Sequence, residues 1–176
     1  KNLCHRSSDV WSGVAPGGDS GANALDGFAH AKRSCSGAQL RDLTQANQDN
    51  ANEPAQVHDL AAADLVTLTI GGNNVGFKNV ILSCGTFPLC NVFLASEIAG
   101  QLEQLRDELP DALCAVRDQL ASGAVGVVVG YPRLFAADQG LCGIPLGFGR
   151  FFEFTVAERV WIRQVADELN QILETA

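Results

Sequence analysis

The 176 residues include no methionine, a single tyrosine, and only twelve lysines and arginines against twenty aspartates and glutamates, for a formal charge of -8. A surface that neutralises nucleic-acid phosphates needs clustered cations, and the few present here form no patch, so no nucleic-acid partner is expected. Long apolar runs are missing too. The best, at 65–70 and 124–129, fall far short of the roughly 20 residues needed to span a bilayer. The six cysteines form no close pair of the zinc-knuckle kind, and none has a histidine at metal-ligand spacing, so disulfides in an exported protein explain them better than a metal does. The opening "KNLCHRSSDVW" carries no charged-then-apolar leader, which reads either as a processed N-terminus or as a cut inside a longer chain.

What is present suits one globular domain over 1–176. The sequence is 47% hydrophobic and 18% charged, enough apolar material for a sizeable core and too little charge for a disordered chain. Up to about Asn52 it is rich in Gly, Ser, Asn and Asp and reads as loops and short helices. "DLVTLTI", ending at "GGNN", and "AVGVVVG" at 124–130 read as buried strands. Between them Ile98, Leu102, Leu105 and Leu109 recur at helical spacing, continued by Leu113, Val116 and Leu120, with Pro110 expected to kink or restart the helix. Strand, helical crossover and strand make a βαβ unit with parallel strands, and the fold class is α/β. The final segment opens with Thr155 and Glu158 in capping-box spacing. Trp161, Val165, Leu169 and Ile172 give it one apolar face, expected to pack on the sheet.

Ligands of an open parallel sheet bind beyond the carboxyl ends of its strands. Those ends are "GGNNVGF" and "GYPRLF". In the first, Gly71 and Gly72 permit a sharp turn, and Asn73 and Asn74 carry amides able to donate into a crevice, the equipment of an oxyanion hole. The plainer alternative is a βα turn whose asparagine caps the next helix.

"VTLTIGGNNVGF" resembles the third block of the SGNH, or GDSL-type, esterase and lipase superfamily, a strand followed by Gly-x-Asn-Asp. Gly71, Gly72 and Asn73 match it, and Asn74 stands where Asp is usual. "CHRSSDVW", "SCSGAQL", "GYPRLF" and "AERVWIRQVADELN" resemble segments of the secreted actinobacterial branch in the same order. The resemblance implies a three-layer α/β/α sandwich with a parallel sheet and a carboxylic ester hydrolase acting on a small-molecule or lipid ester. It implies neither metal nor organic cofactor. By the same resemblance Gly37 supplies a backbone N–H and Asn73 a side-chain N–H to the oxyanion hole, while Asn74 can still accept through its oxygen but carries no charge.

The family's nucleophilic serine and its Asp-x-x-His base belong to blocks that this chain does not contain. The resemblance therefore implies a domain truncated at both ends and inactive alone, and it favours the cut as the origin of Lys1. "GGDS" places Ser20 after "SGVAP", with no strand to present it, and none of His5, His30 and His58 has Asp three residues before it. His30 and His58 read as solvent-facing, and His5 as a local hydrogen-bonding partner beside Cys4. The resemblance further implies Cys4–Cys35 and Cys84–Cys90 disulfides and, for Cys142, a partner beyond the His block; Cys114 reads as a small buried hydrophobe. "LCGIPLGFGRFFEF" either lines an acyl pocket or packs Phe148, Phe151, Phe152 and Phe154 under the final helix, and the second reading is preferred. Arg133 is read as ordering its own loop. Two other functions remain open: an acyl- or glycan-binding module on the same fold, and a compact hydrolase using Ser20 with His58 or His30.

Overall fold

A computed structural model describes Cys4 and residues 31–47, 53–135, 142–147 and 150–176. Strand β1, Leu65–Leu68, pairs in parallel with β2, Val125–Val128, with Leu65 opposite Val125 and Leu68 opposite Val128. The crossover between them holds α2, Phe77–Thr86, α3, Cys90–Phe93, and α4, Ala95–Arg117; a short α1, Arg41–Thr44, precedes β1. This is the expected parallel βαβ arrangement.

Helix α4 buries Ile98, Leu102, Leu105, Leu109 and Val116, the face set by the three-and-four spacing. It does not restart at Pro110. That residue lies on the solvent side, where water can take the carbonyl that an imino nitrogen leaves without a donor. Cys114 is exposed rather than buried, because it sits about 140° round the helix from Leu109.

Helix α5, Val156–Thr175, has the capping box anticipated from Thr155 and Glu158. The Thr155 hydroxyl accepts from the Glu158 N–H, and Glu158 Oε2 accepts from the Thr155 N–H at 2.9 Å. The other Glu158 oxygen accepts from the Cys90 N–H at 3.4 Å, so one buried carboxylate joins α5 to α3. The sequence places this helix on the sheet, but it packs mainly on α2, α3 and α4, with Leu169 close to Gly71 in the turn after β1. Its buried stripe is Ile162, Val165, Leu169, Ile172 and Leu173, with Trp161 half-buried at the margin.

One expectation is corrected by the first two strands. β1 and β2 are not buried: Leu65, Val125, Val127 and Val128 are all exposed. Only two strands form this sheet among the described residues, so each has an unpaired edge and little lies over its faces. The "LCGIPLGFGRFFEF" stretch forms an antiparallel hairpin, β3, Cys142–Gly147, and β4, Arg150–Phe154, with Cys142 opposite Phe154. Phe154 is fully buried and packs on Phe135 at a ring-centroid distance of 4.9 Å, with β4 lying against α2 and not under the final helix. Phe148 and the side chains of Phe151, Phe152 and Cys142 lie outside the described residues.

Candidate active site

The turn after β1 carries the candidate site. Leu68 and Ile70 end the apolar run, and the Val75 and Phe77 N–H groups then donate back to the Gly71 and Gly72 carbonyls, folding "GGNNV" into a compact loop. Gly72 is buried, and a Cβ there would stand 2.9 Å from the Tyr131 ring and hydroxyl, so only glycine fits. Its N–H donates to the Tyr131 hydroxyl at 2.9 Å. Tyr131 follows β2, and Asn170 of α5 brackets it: the Tyr131 N–H donates to Asn170 Oδ1 at 2.7 Å, and Asn170 Nδ2 donates to the Tyr131 carbonyl at 2.9 Å. The two strand ends are therefore locked together through one phenol and one amide.

The segment before α1 reaches the same turn. Asn73 Nδ2 donates to the Ala38 carbonyl at 2.8 Å, Asn74 Oδ1 accepts from the Leu40 N–H at 3.1 Å, and Gln39 Nε2 donates to the Asn73 carbonyl at 3.4 Å. Asp42, buried in α1, accepts from the Gln39 N–H at 2.8 Å and fixes the bend that presents Gly37. Gly37 has φ +82° with open space where a Cβ would stand, so conformation and not crowding calls for glycine. Gly37 and Asn73 are both exposed; Asn73 makes the contact that joins the segments, and Gly37 is the residue before its partner Ala38. An amide NH₂ has two hydrogens, and the bond to Ala38 uses one. Beside this turn a polar cavity of about 220 Å³ is lined by Gln39, Asn74, Gln101, Gln104, Leu105 and Glu108.

Burial pushes the Tyr131 hydroxyl above the ordinary tyrosine pKa of 10.0, partly offset by the hydrogen bond from Gly72. The folded protein therefore holds this proton after the unfolded chain has begun to lose it. That contribution to stability is complete below pH 10.0 and declines as the pH rises towards the folded value. Urea midpoints of the wild type are expected to drop above about pH 10 relative to those of Tyr131→Phe. At neutral pH that variant is less stable by about 1–3 kcal/mol, because it leaves the Gly72 N–H without an acceptor.

The remaining candidates lie elsewhere. His58 is exposed, as expected, with Nδ1 2.7 Å from Asp59 Oδ2, which also receives Arg33 at 2.9 Å. It lines a separate cleft with Thr44, Val57 and Asp118 that includes neither Gly37 nor Asn73. Ser20, His5 and His30 lie outside the described residues. Arg133 is not confined to its own loop, since its Nε meets Asp167 of α5 at 2.7 Å. The Cys4–Cys35 bond anchors Cys4 beside the Gly37 segment, and Cys84–Cys90 closes the loop after α2. Among the described residues no cluster of three or more metal-ligating side chains occurs, and no helix is long and apolar enough to cross a membrane. Tyr131 and Asn170 are the positioning residues that the local pattern did not single out. Their partners lie 59 and 39 residues away in the chain, so no local spacing reveals them.

No protein-family model matches the chain. It is 26% identical over 147 residues to a lipase of Streptomyces rimosus, a match covering 78% of this chain and 46% of that protein. In structure it is similar to the extracellular lipase of Streptomyces rimosus, with a TM-score of 0.58, 26% identity, and coverage of 80% of this chain and 53% of the other. It is also similar to phospholipase A1 from Streptomyces albidoflavus, with a TM-score of 0.52, 28% identity and the same coverages. The chain is thus homologous at low identity to Streptomyces lipases, shares their α/β content with a small parallel sheet and helices, and spans about half their length.

Proposed function

We propose that this chain is the oxyanion-binding half of a secreted SGNH-type serine esterase or lipase, in which Asn73 Nδ2 and the Gly37 N–H stabilise the anionic oxygen formed when an ester carbonyl is attacked. The observation that supports the reading is the bond from Asn73 Nδ2 to the Ala38 carbonyl, which ties the turn after β1 to the residue next to Gly37, with Gly37 and Asn73 both exposed. Donors fixed before the reaction lose no reorganisation energy as charge develops, which is why such groups contribute several kcal/mol to lowering the barrier. In the intact enzyme a serine supplies the nucleophile and a histidine carries its proton to the leaving alcohol, with both groups coming from outside residues 1–176. The exposed apolar faces of β1 and β2 support this reading. Valines and leucines in such numbers call for neighbouring strands and helices, and a three-layer α/β/α sandwich would supply them. The lipase relatives support a lipid or other carboxylic ester as substrate. The extracellular relative and the two disulfides are consistent with export.

Hydrolysis of p-nitrophenyl butyrate tests the reading. The intact protein is expected to turn it over, whereas the purified 176-residue chain gives no rate above the blank, because donors without a nucleophile leave only residual catalysis. Turnover by the 176-residue chain that disappears in Ser20→Ala would instead establish the compact hydrolase. An intact protein that binds acyl chains or glycans without turning over esters would establish the binding module.

A further inference from the structure

The loop that Cys84–Cys90 closes, with α3 after it, carries the most exposed large apolar side chains among the described residues. Phe87 is 69% exposed, Leu89 59%, Val92 63% and Phe93 75%. Leu89 sits at φ +65°, a left-handed conformation that a leucine adopts only when its surroundings force it. Here the disulfide closes the chain around it, while Cys90 is buried and its N–H is held by Glu158. The side chains are thus turned outward on a rigid support. Val156 and Val160, one turn apart at the start of α5, are also exposed, and the Glu158–Cys90 bond brings that turn alongside.

We infer that this disulfide-closed knob is the lipid-contacting surface of the protein, inserting Phe87, Leu89, Val92 and Phe93 into the surface of a neutral or zwitterionic ester-lipid aggregate. The inference deepens the ester-hydrolase reading and rests on it for its choice of partner. Charge argues for that partner. No charged residue occurs between Lys78 and Glu97 in a chain of net charge -8, so nothing in the knob attracts an anionic surface and the rest of the protein repels one. Charge also argues against a second copy, because two chains of net charge -8 repel one another. A neutral lipid surface brings no such repulsion, and each inserted side chain contributes by itself. Helix α2 links the knob to the turn bearing Asn73 over a length of about 15 Å, so a protein seated by this loop keeps the candidate site near the lipid headgroups.

Flotation of the intact protein with phosphatidylcholine vesicles tests this. The wild type is expected to float with the vesicles, with binding unchanged by added salt and weakened when phosphatidylserine is included. Phe87→Ser and Phe93→Ser each lower the partition coefficient about tenfold, while Phe93→Leu retains most of the binding. The exposed positions leave folding intact, which circular dichroism checks. Serine variants that float as well as the wild type would overturn the inference. So would a wild type that stays in the soluble fraction, meaning other parts of the protein cover the knob, or a dimer that Phe93→Ser converts to a monomer. Flotation requires no turnover and p-nitrophenyl butyrate requires no vesicle, so a failure of the knob and a failure of the oxyanion site are read separately.

Discussion

Asn73→Ala in the intact protein is expected to reduce kcat on a soluble ester by about 10²–10³-fold while KM changes little, the signature of a donor whose bond forms fully only in the transition state. The structure separates this effect from damage to the fold. The Asn73 side chain is exposed, and alanine removes one hydrogen bond to the Ala38 carbonyl, a loss of about 1 kcal/mol. Asn73→Asp is expected to be at least as inactive, because a carboxylate has no hydrogen to donate and meets the Ala38 carbonyl with repulsion. Steady-state kinetics with thermal melts on both variants make the comparison. A kcat within about threefold of wild type for Asn73→Ala would remove this residue from the oxyanion site.

The second large effect is on stability. Leu105 is 1% exposed on the buried face of α4 and packs beneath Gly71, at the root of the turn bearing Asn73. Leu105→Ala leaves a cavity that its neighbours fill only partly, at a cost of about 3–4 kcal/mol. For a domain of this size that corresponds to a melting temperature lower by roughly 6–16 °C. Leu105→Met keeps most of the volume and is expected to recover most of the loss. Equal melting temperatures for wild type and Leu105→Ala would mean that α4 is not packed as described.

How much of this was legible in the sequence depends on how local each determinant is. The Thr155–Glu158 capping box is found as read, and so is the α4 face from Ile98 to Leu109 with Val116, whereas Leu113 is half-buried and Leu120 lies beyond the helix end. Parallel pairing of β1 and β2 follows from an apolar strand, a crossover and a second apolar strand. Their exposure could not be read, because a continuous apolar run indicates that a strand wants cover without saying whether neighbouring strands are there to give it. The β3–β4 hairpin was missed for a related reason. Gly143, Pro145 and Gly147 interrupt the pattern with residues that strands usually avoid, so the alternation that marks a strand is not visible. At the candidate site the asparagines and glycines were visible as turn chemistry, whereas the Tyr131–Gly72 and Asn170–Tyr131 clamps depend on tertiary proximity.

The separation of β1 from β2 along the chain also sets an order of assembly. Three helices intervene between Leu65–Leu68 and the Val125–Val128 segment that pairs with it. Helices nucleate from neighbours, while a parallel pair must wait for a long loop to close. In refolding from denaturant, α4 and its contacts are therefore expected early, and the step that joins the two strand ends and aligns Tyr131 with Gly72 late. The slowest phase then reports completion of the site itself, and a chaperone would meet a chain already helical with its sheet still open.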